Sequence, residues 1–222
     1  MRLVFLGPPG AGKGTQAVRY AKESTLPHVS TGDMLRDAVA KGTAAGKKAK
    51  PIMEAGGLVS DDIVLACVEE RLGTDAKAGF ILDGYPRNVQ QAKDLETVLA
   101  RHGMSLDGVV NFDLKIETIV PRMAGRRSCP KDGAVYHVTG NPPKKAAGKC
   151  DLCGGDLVQR ADDKEEVVRE RMKTYAQKTE PLIQHYAEKG LIITVDADGG
   201  VEQVYKRLSD ALKGRSAKVG AK

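Results

Sequence analysis

The chain has 222 residues, 29% charged and 41% hydrophobic, which is the composition of an ordinary globular domain able to bury a core. No apolar run approaches the roughly 18 residues of a membrane-spanning helix. The apolar run at residues 3–6 fits a buried strand better than a secretory signal. We therefore expect a cytoplasmic protein with no membrane partner. The net charge of +6 is concentrated in residues 122–160, where eight basic side chains outnumber three acidic ones, and this predicts a segment that contacts polyanions.

In chain order, patterns typical of strands alternate with patterns typical of helices. Strands are predicted at residues 3–6, 28–30, 79–83, 109–114 and 191–195. Helices are predicted at residues 13–24, from 32, from 61 to about 72, and at 88–101, 116–124, 162–189 and 201–213. Alternation of this kind predicts an α/β fold in three layers, with a central parallel sheet flanked by helices.

Two segments interrupt the alternation and are predicted to be inserts. The first, residues 31–60, is helical and punctuated by glycines. The second, residues 122–160, has clustered Gly and Pro, short strands and three of the four cysteines. The remaining residues are assigned to a core at 1–30, 61–121 and 161–213 and to a flexible tail at 214–222.

A glycine-rich sequence, GPPGAGKGT, follows the first strand and opens the first helix. Gly7, Gly12 and Lys13 match the phosphate-binding pattern G-x-x-x-x-G-K-[ST], although Gly14 stands where Ser or Thr is usual and Thr15 comes next. Backbone N–H groups of such a loop converge on phosphates, the helix N-terminus adds partial positive charge, and the lysine neutralises phosphate oxygens. The sequence therefore predicts a phosphate-binding loop.

Further motifs follow this loop along the chain. They are GPPGAGKGTQ at 7–16, STGDMLR at 30–36, DGYPR at 83–87, Gln91, GRR at 125–127, NPP at 141–143, Arg160 with Asp162 and Asp163, and Arg171. Through these motifs the chain resembles the adenylate kinases, members of the nucleoside monophosphate kinase family, over about residues 1–213. The resemblance implies a P-loop fold and the reversible, Mg²⁺-dependent reaction ATP + AMP = 2 ADP. It makes residues 31–60 an AMP-binding insert and residues 122–160 a lid that closes and excludes water.

The resemblance also implies which residues bind each nucleotide. For AMP they are Thr31, Arg36, Gly57, Leu58, Val59, Gly84, Tyr85, Pro86, Arg87, Gln91, Arg160 and Arg171. For ATP they are Gly10, Ala11, Gly12, Lys13, Gly14, Thr15, Arg122, Arg126, Tyr136, His137 and Gly199. The implied catalytic set is Lys13, Asp83, Arg87, Arg126, Arg160 and Arg171. In this set Asp83 orients Mg²⁺ through water, while for His137 a packing role remains an alternative.

Cysteines of the lid form a candidate metal site. Cys150 and Cys153 have the C-x₂-C spacing of a zinc knuckle, and Asp132 follows Cys129 where a second ligand is expected upstream. The arrangement resembles the lid of long-lid adenylate kinases, some of which bind zinc through four cysteines. We predict structural Zn²⁺, or a similar divalent ion, bound by Cys129, Asp132, Cys150 and Cys153. Alternative fourth ligands are His137 and Asp151, and an empty site with reduced thiols is the remaining alternative.

Two other functions remain open from the sequence. A kinase for GMP, UMP or CMP would share most of these motifs, although Thr31 and Gln91 favour AMP. A zinc-ribbon nucleic-acid-binding ATPase would explain the basic segment and the knuckle, but not the DGYPR motif, Gln91 or the helical insert. We therefore expect ATP, AMP and ADP as ligands, no nucleic-acid partner, and a monomer.

Overall fold

A computed structural model describes residues 1–75 and 79–219 of the chain. The strands are β1 Arg2–Leu6, β2 His28–Ser30, β3 Phe80–Asp83, β4 Gly108–Asp113, β5 Arg126–Ser128, β6 Val135–His137 and β7 Ile192–Asp196. The helices are α1 Lys13–Ser24, α2 Thr31–Ala40, α3 Ala44–Glu54, α4 Asp61–Asp75, α5 Val89–Arg101, α6 Ile119–Ala124, α7 Glu165–Thr174, α8 Pro181–Glu188 and α9 Val201–Val219. None of the described helices is both long and apolar enough to cross a membrane.

Five strands form a parallel sheet in the order β2-β3-β1-β4-β7, as the alternating pattern predicted. Successive side chains of a strand point to opposite faces. Along β1, Val4 and Leu6 belong to one buried hydrophobic cluster, and Leu3 and Phe5 belong to the other. Helices α4, α5 and α8 contribute to the first cluster, and α1, α6 and α9 contribute to the second. The predicted three-layer α/β fold is confirmed.

Parallel pairing also decides where a site can form. Because the strands run in one direction, their carboxyl ends meet at one edge of the sheet, where open α/β sheets bind ligands. The loop after β1, the start of α2 after β2, and Asp83 at the end of β3 all lie at this edge.

The two predicted inserts have distinct structures. Residues 31–60 contain α2 and α3, which approach so closely that a Cβ on Gly46 would clash with the carbonyl oxygen of Ala38. Residues 122–160 contain the antiparallel pair β5–β6. This lid has a small cluster of its own, in which Cys129, Tyr136 and Cys150 are buried.

The C-terminal helices differ from the prediction in two places. The helix predicted at 162–189 is divided by a π-helical turn at Tyr175–Thr179, where the N–H of Glu180 donates to the carbonyl oxygen of Tyr175 at 2.9 Å. Pro181 then begins α8. Its ring nitrogen carries no hydrogen, so Pro181 cannot donate the next backbone hydrogen bond of the preceding helical turn. The last helix extends to Val219, beyond the predicted end at 213. Residues 214–219 of the predicted tail are therefore helical, and 220–222 lie outside the described residues.

Candidate active site

The loop between β1 and α1 is organised around Lys13. Its Nζ donates to the carbonyl oxygens of Gly7 at 2.7 Å and Pro8 at 2.9 Å. A Cβ on the next residue, Gly14, would lie 3.2 Å from Oδ2 of Asp83, closer than an ordinary contact. Glycine instead of the usual Ser or Thr therefore allows the Asp83 carboxylate to approach the first turn of α1.

A cavity of about 600 Å³ extends from this loop to the lid. The residues expected to bind ATP all line it: Gly10, Ala11, Gly12, Lys13, Gly14, Thr15, Arg122, Arg126, Tyr136, His137 and Gly199. The cavity is also lined by residues that were not predicted to bind ATP, among them Gln16, Val135, Asn141 and Val201. Three of these had a signal in the sequence, because Gln16 ends the GPPGAGKGTQ motif, Val135 adjoins Tyr136 and Asn141 opens the NPP motif.

A smaller cavity, of about 120 Å³, lies against the helical insert. Most residues expected to bind AMP line it: Thr31, Arg36, Gly57, Leu58, Val59, Gly84, Pro86, Arg87, Gln91 and Arg171. Arg160 lines only the larger cavity. Tyr85 lines neither, because its side chain is fully buried and its hydroxyl donates to the carbonyl oxygen of Gln91 at 3.2 Å. The apolar part of the wall, which includes Leu35, Met53 and Val64, was not predicted from the sequence.

The two cavities meet. They share the lining residues Pro9, Lys13, Gly32, Arg36, Gly84, Arg87 and Arg171. Several of these side chains are cationic, and Arg126 and Arg160 line the larger cavity nearby. A junction of this kind suits phosphate groups that arrive from two directions, since fixed cations neutralise their charge.

Burial perturbs the cations at this junction. Desolvation lowers the pKa of Lys13 to about 8, although the nearby Asp83 carboxylate opposes the shift. Desolvation likewise lowers the pKa of Arg160 and of Arg171 to about 10, with neighbouring arginines adding to the effect. Like charges gathered in a desolvated space are unfavourable until an anion joins them. Perturbation of this kind is typical of functional sites.

Two aspartates position the arginines. Arg126 donates from Nε and Nη2 to the two carboxylate oxygens of Asp163, with the Nε contact at 2.8 Å. Arg171 donates from Nη1 to Oδ2 of Asp162 at 2.6 Å. A two-point contact fixes the plane of a guanidinium as well as its position. Both aspartates belong to a motif that is visible in the sequence, but no role was predicted for them.

Asp83 lies at the carboxyl end of β3 and lines the larger cavity. Its Oδ2 is 3.6 Å from Nε2 of His28, the first residue of the neighbouring strand β2. The carboxylate is largely buried. It is also close to the phosphate-binding loop, since a Cβ on Gly14 would lie 3.2 Å from its Oδ2. This position suits a group that orients the hydration shell of a divalent ion beside phosphates.

The predicted metal ligands lie together in the lid. One ligand atom each from Cys129, Asp132, Cys150 and Cys153 all lie within 4.8 Å of one another. Sγ of Cys129 is 3.4 Å from Sγ of Cys153, and Sγ of Cys150 is 3.1 Å from Oδ2 of Asp132. Three thiols and a carboxylate form a donor set that Zn²⁺ accepts. The residues therefore fit a four-coordinate metal ion.

Both alternative fourth ligands make other hydrogen bonds, and neither belongs to the cluster of four. Nδ1 of His137 accepts hydrogen bonds from the backbone N–H groups of Thr139 at 3.2 Å and Gly140 at 3.0 Å. The Asp151 carboxylate accepts from the backbone N–H groups of Lys144 and Lys145, which order the turn before the knuckle. Asp132 is the fourth member of the cluster in this structure.

A phosphate-binding loop whose cavity continues into a second, cation-rich one defines a P-loop phosphotransferase with two phosphate-bearing substrates. Comparison with known proteins gives the family. The profile of the adenylate kinase family matches residues 5–191, and the chain belongs to this family. Its activity is that of a nucleoside monophosphate kinase, and adenylate kinases use Mg²⁺ with ATP.

Individual relatives agree over almost their full length. The adenylate kinase of Archaeoglobus fulgidus is 51% identical over 214 residues, which are 96% of this chain and 98% of the relative. That of Thermodesulfovibrio yellowstonii is 49% identical over 96% of this chain and 99% of the relative. That of Streptomyces avermitilis is 48% identical over 98% of this chain and 99% of the relative. These matches favour the kinase over the nucleic-acid-binding ATPase that the sequence left open.

Proposed function

We propose that the larger cavity binds ATP, that the smaller cavity binds AMP, and that the phosphoryl group passes between them at their junction. The observation that carries the proposal is the set of cationic residues shared by both cavities, Lys13, Arg36, Arg87 and Arg171. Nucleotides that enter the two cavities with their phosphates toward this junction would place donor and acceptor oxygens side by side. Transfer then yields two molecules of ADP, and the same arrangement serves the reverse reaction.

On the ATP side, backbone N–H groups of residues 10–15 would hold the phosphates, and Lys13 and Arg126 would neutralise their charge. Arg122 would lie against the adenine. Its guanidinium is held by hydrogen bonds to the carbonyl oxygens of Ala197 at 2.9 Å and Gly199 at 3.2 Å. Tyr136, His137 and Gly199 would complete the base and ribose site.

On the AMP side, Arg36 and Arg87 would bind the phosphate. Residues 57–59 and Thr31 would surround the nucleoside, and Gln91 would contact the edge of the adenine. The Thr31 hydroxyl donates to the carbonyl oxygen of Gly84 at 2.9 Å, which fixes the insert against the end of β3. For Tyr85 we now propose a supporting role, because its ring lies in the core beneath Gln91.

No side chain needs to act as a nucleophile or base in this reaction. Phosphoryl transfer depends on alignment and on cations that neutralise charge spread over the transferred group. Lys13, Arg87, Arg126, Arg160 and Arg171 would supply those cations. Arg171, which lines both cavities, and Arg160 would bridge the two phosphate chains. Mg²⁺, oriented by Asp83 through water, would neutralise β- and γ-phosphate oxygens when it is bound.

The lid would exclude water, the competing acceptor. Gly133, Tyr136 and Arg160 of the lid line the same cavity as Asp33 of the helical insert and the phosphate-binding loop. These shared lining residues support a lid that would close over the site. Substrates must enter, so we propose that residues 122–160 and residues 31–60 move as units relative to the core.

The lid metal would be structural Zn²⁺ or a similar ion. A site with four protein ligands has no open position for substrate, which is the pattern of structural zinc. The apolar cluster of the lid contains only Tyr136, Ala134 and Leu157 besides two of the cysteines. So small a cluster cannot hold the segment by apolar burial alone. A cytoplasmic, monomeric enzyme remains our expectation.

Coupled assays with ATP, Mg²⁺ and each of AMP, GMP, UMP and CMP test the proposal. We expect AMP to be the preferred acceptor by a wide margin in kcat/KM. Preference for another monophosphate would overturn the assignment of the smaller cavity to AMP.

A further inference from the structure

The side-chain amide of Gln91 is held at both ends by protein groups. Its Nε2 donates to Oδ1 of Asp61 at 2.6 Å, and its Oε1 accepts from the backbone N–H of Arg87 at 2.6 Å. Gln91 is only 2% exposed, yet it lines the smaller cavity. Asp61 lines neither cavity, and its hydrogen bond to Gln91 connects it to the cavity wall.

The two partners permit only one orientation of this amide. An ionised carboxylate can only accept hydrogen bonds, and a backbone N–H can only donate. If the amide rotated by half a turn, its oxygen would meet the Asp61 carboxylate and its NH₂ group would meet the N–H of Arg87. Both hydrogen bonds would be lost and two repulsive contacts would replace them.

Asp61 is itself fixed. The Nδ2 of Asn88 donates to both of its carboxylate oxygens, at 3.1 and 3.2 Å, and Oδ1 of Asn88 accepts from the backbone N–H of Gln91 at 2.8 Å. Asp61 begins α4 and Asn88 caps α5, so the starts of two helices hold the carboxylate in place. The orientation of Gln91 is therefore set by the fold before any ligand binds.

A fixed amide distinguishes two classes of purine. After its contacts with Asp61 and Arg87, Gln91 retains one N–H and one oxygen lone pair, in a fixed order along the cavity wall. A 6-aminopurine presents an acceptor at N1 and a donor at N6. A 6-oxopurine presents a donor at N1 and an acceptor at O6, so the two classes require opposite orientations of the amide.

We infer that Asp61 is a specificity-determining positioning residue, which restricts the monophosphate site to 6-aminopurines by preventing rotation of the Gln91 amide. This inference rests on the proposed contact between Gln91 and the base. The competing explanation is that Asp61 only places negative charge in the first turn of α4. Asp62 shares that turn, is exposed, and provides a matched control.

The test compares AMP with IMP, which differ at the purine only in the groups at N1 and C6. Initial rates of diphosphate formation with ATP give kcat/KM for each acceptor on one preparation, so the folded fraction cancels in their ratio. Asp61→Asn offers donors as well as acceptors to Gln91, and we expect it to lower the AMP-to-IMP ratio about tenfold or more. Asp62→Asn should leave the ratio unchanged, and KM for ATP should stay the same in both variants.

Two further variants make the outcome decisive. Asp61→Glu keeps an acceptor-only carboxylate and should retain more of the selectivity than Asp61→Asn. If Asp61→Asn does not fold, Asp61→Ser provides the same test, since a hydroxyl both donates and accepts. An unchanged AMP-to-IMP ratio in Asp61→Asn or Asp61→Ser overturns the inference, as does an equal fall in Asp62→Asn.

Gln91→Met separates failure of the inference from failure of the proposed function. It keeps the volume of the side chain but removes both hydrogen-bonding groups. If Gln91→Met leaves the ratio unchanged, Gln91 does not contact the base and the proposed AMP site is wrong at that position. If Gln91→Met removes the selectivity and Asp61→Asn does not, the base contact stands and only the role of Asp61 is rejected.

Discussion

Arg126 and Asp163 form a two-point ion pair in which the Asp163 side chain is fully buried and the Arg126 side chain is 19% exposed. Asp163 also lies 3.8 Å from Arg171, so a single carboxylate offsets one arginine of the junction and one arginine of the larger cavity. Removing one partner of a buried pair leaves the other charge uncompensated, which costs more than the pair itself contributes. Asp163 therefore links the stability of the core to the geometry of the site.

We expect Asp163→Asn to lower both stability and turnover. The amide keeps the shape but not the charge, so the free energy of unfolding should fall by about 2 kcal/mol. Turnover should fall because Arg126 is no longer held in one plane. Urea unfolding and kcat measure the two effects. As a control, Glu165→Gln alters only an exposed pair with Arg169 and should change stability by less than about 0.5 kcal/mol; equal effects would contradict the prediction.

Lys13→Met should reduce turnover by orders of magnitude without destabilising the ligand-free protein. Burial lowers the pKa of Lys13 to about 8 from 10.5, so the folded protein binds this proton less tightly than the unfolded chain. A charged Lys13 is thus unfavourable for folding below pH 8, and removing it should leave the melting temperature unchanged or slightly higher. Lys22→Met, on an exposed position of the same helix, should affect neither property. A melting temperature that falls in parallel with activity would argue for a structural role.

The same pKa predicts proton uptake when ATP binds. Phosphate charge favours the ammonium form of Lys13, so its pKa should rise above 8 in the complex. Binding should then take up protons at about pH 8.5 and far fewer at pH 6.5, where Lys13 is already charged. Calorimetry in buffers of different ionisation enthalpy measures this uptake. Lys13→Met should abolish the difference, and its persistence in that variant would assign the proton to another group.

Arg87→Ala and Arg126→Ala should weaken opposite substrates. Arg87 is half-buried, its Nε donates to the carbonyl oxygen of Gly84 at 2.8 Å, and it lines the smaller cavity as well as the junction. Arg126 lines only the larger cavity. We expect Arg87→Ala to weaken AMP binding roughly tenfold or more and ATP binding less, with the reverse for Arg126→Ala. Titration of each variant with AMP and with ATP measures these affinities, and Arg169→Ala, at an exposed position, is the control. Equal losses for both substrates in both variants would refute the assignment.

Cys150→Ser should destabilise the lid. Metal binding to such a site is coupled to folding, so loss of one thiolate should lower the melting temperature and increase proteolysis within residues 128–158. Much of the activity should survive at low temperature, because no ligand of the metal cluster lines either cavity. Cys67→Ser, at a half-buried position on α4 outside the cluster, is the control. Elemental analysis should find about one Zn²⁺ or similar ion per chain; protein without metal and with a melting curve insensitive to chelator would reject the site.

The sequence by itself determined those features whose information is local. Alternation of strand and helix patterns predicted the parallel sheet, because a buried strand and an amphipathic helix differ in hydrophobic period within a few residues. The phosphate-binding loop and the C-x₂-C knuckle were visible because their ligands are neighbours in the chain. The order of the remaining motifs along the chain then predicted which residues bind the nucleotides.

Only the tertiary structure decided how distant groups combine. Tyr85 belongs to a motif, but the packing of β3 and α5 turns its ring into the core. Arg160 lines the larger cavity but not the smaller one, and its Nε donates to Oγ of Ser128 in β5 at 2.7 Å. The bond between Asp61 and Gln91 joins two helix starts 30 residues apart. Neighbouring residues in the chain do not predict such contacts, because the distance between two remote side chains depends on the whole sheet and on the helices packed against it.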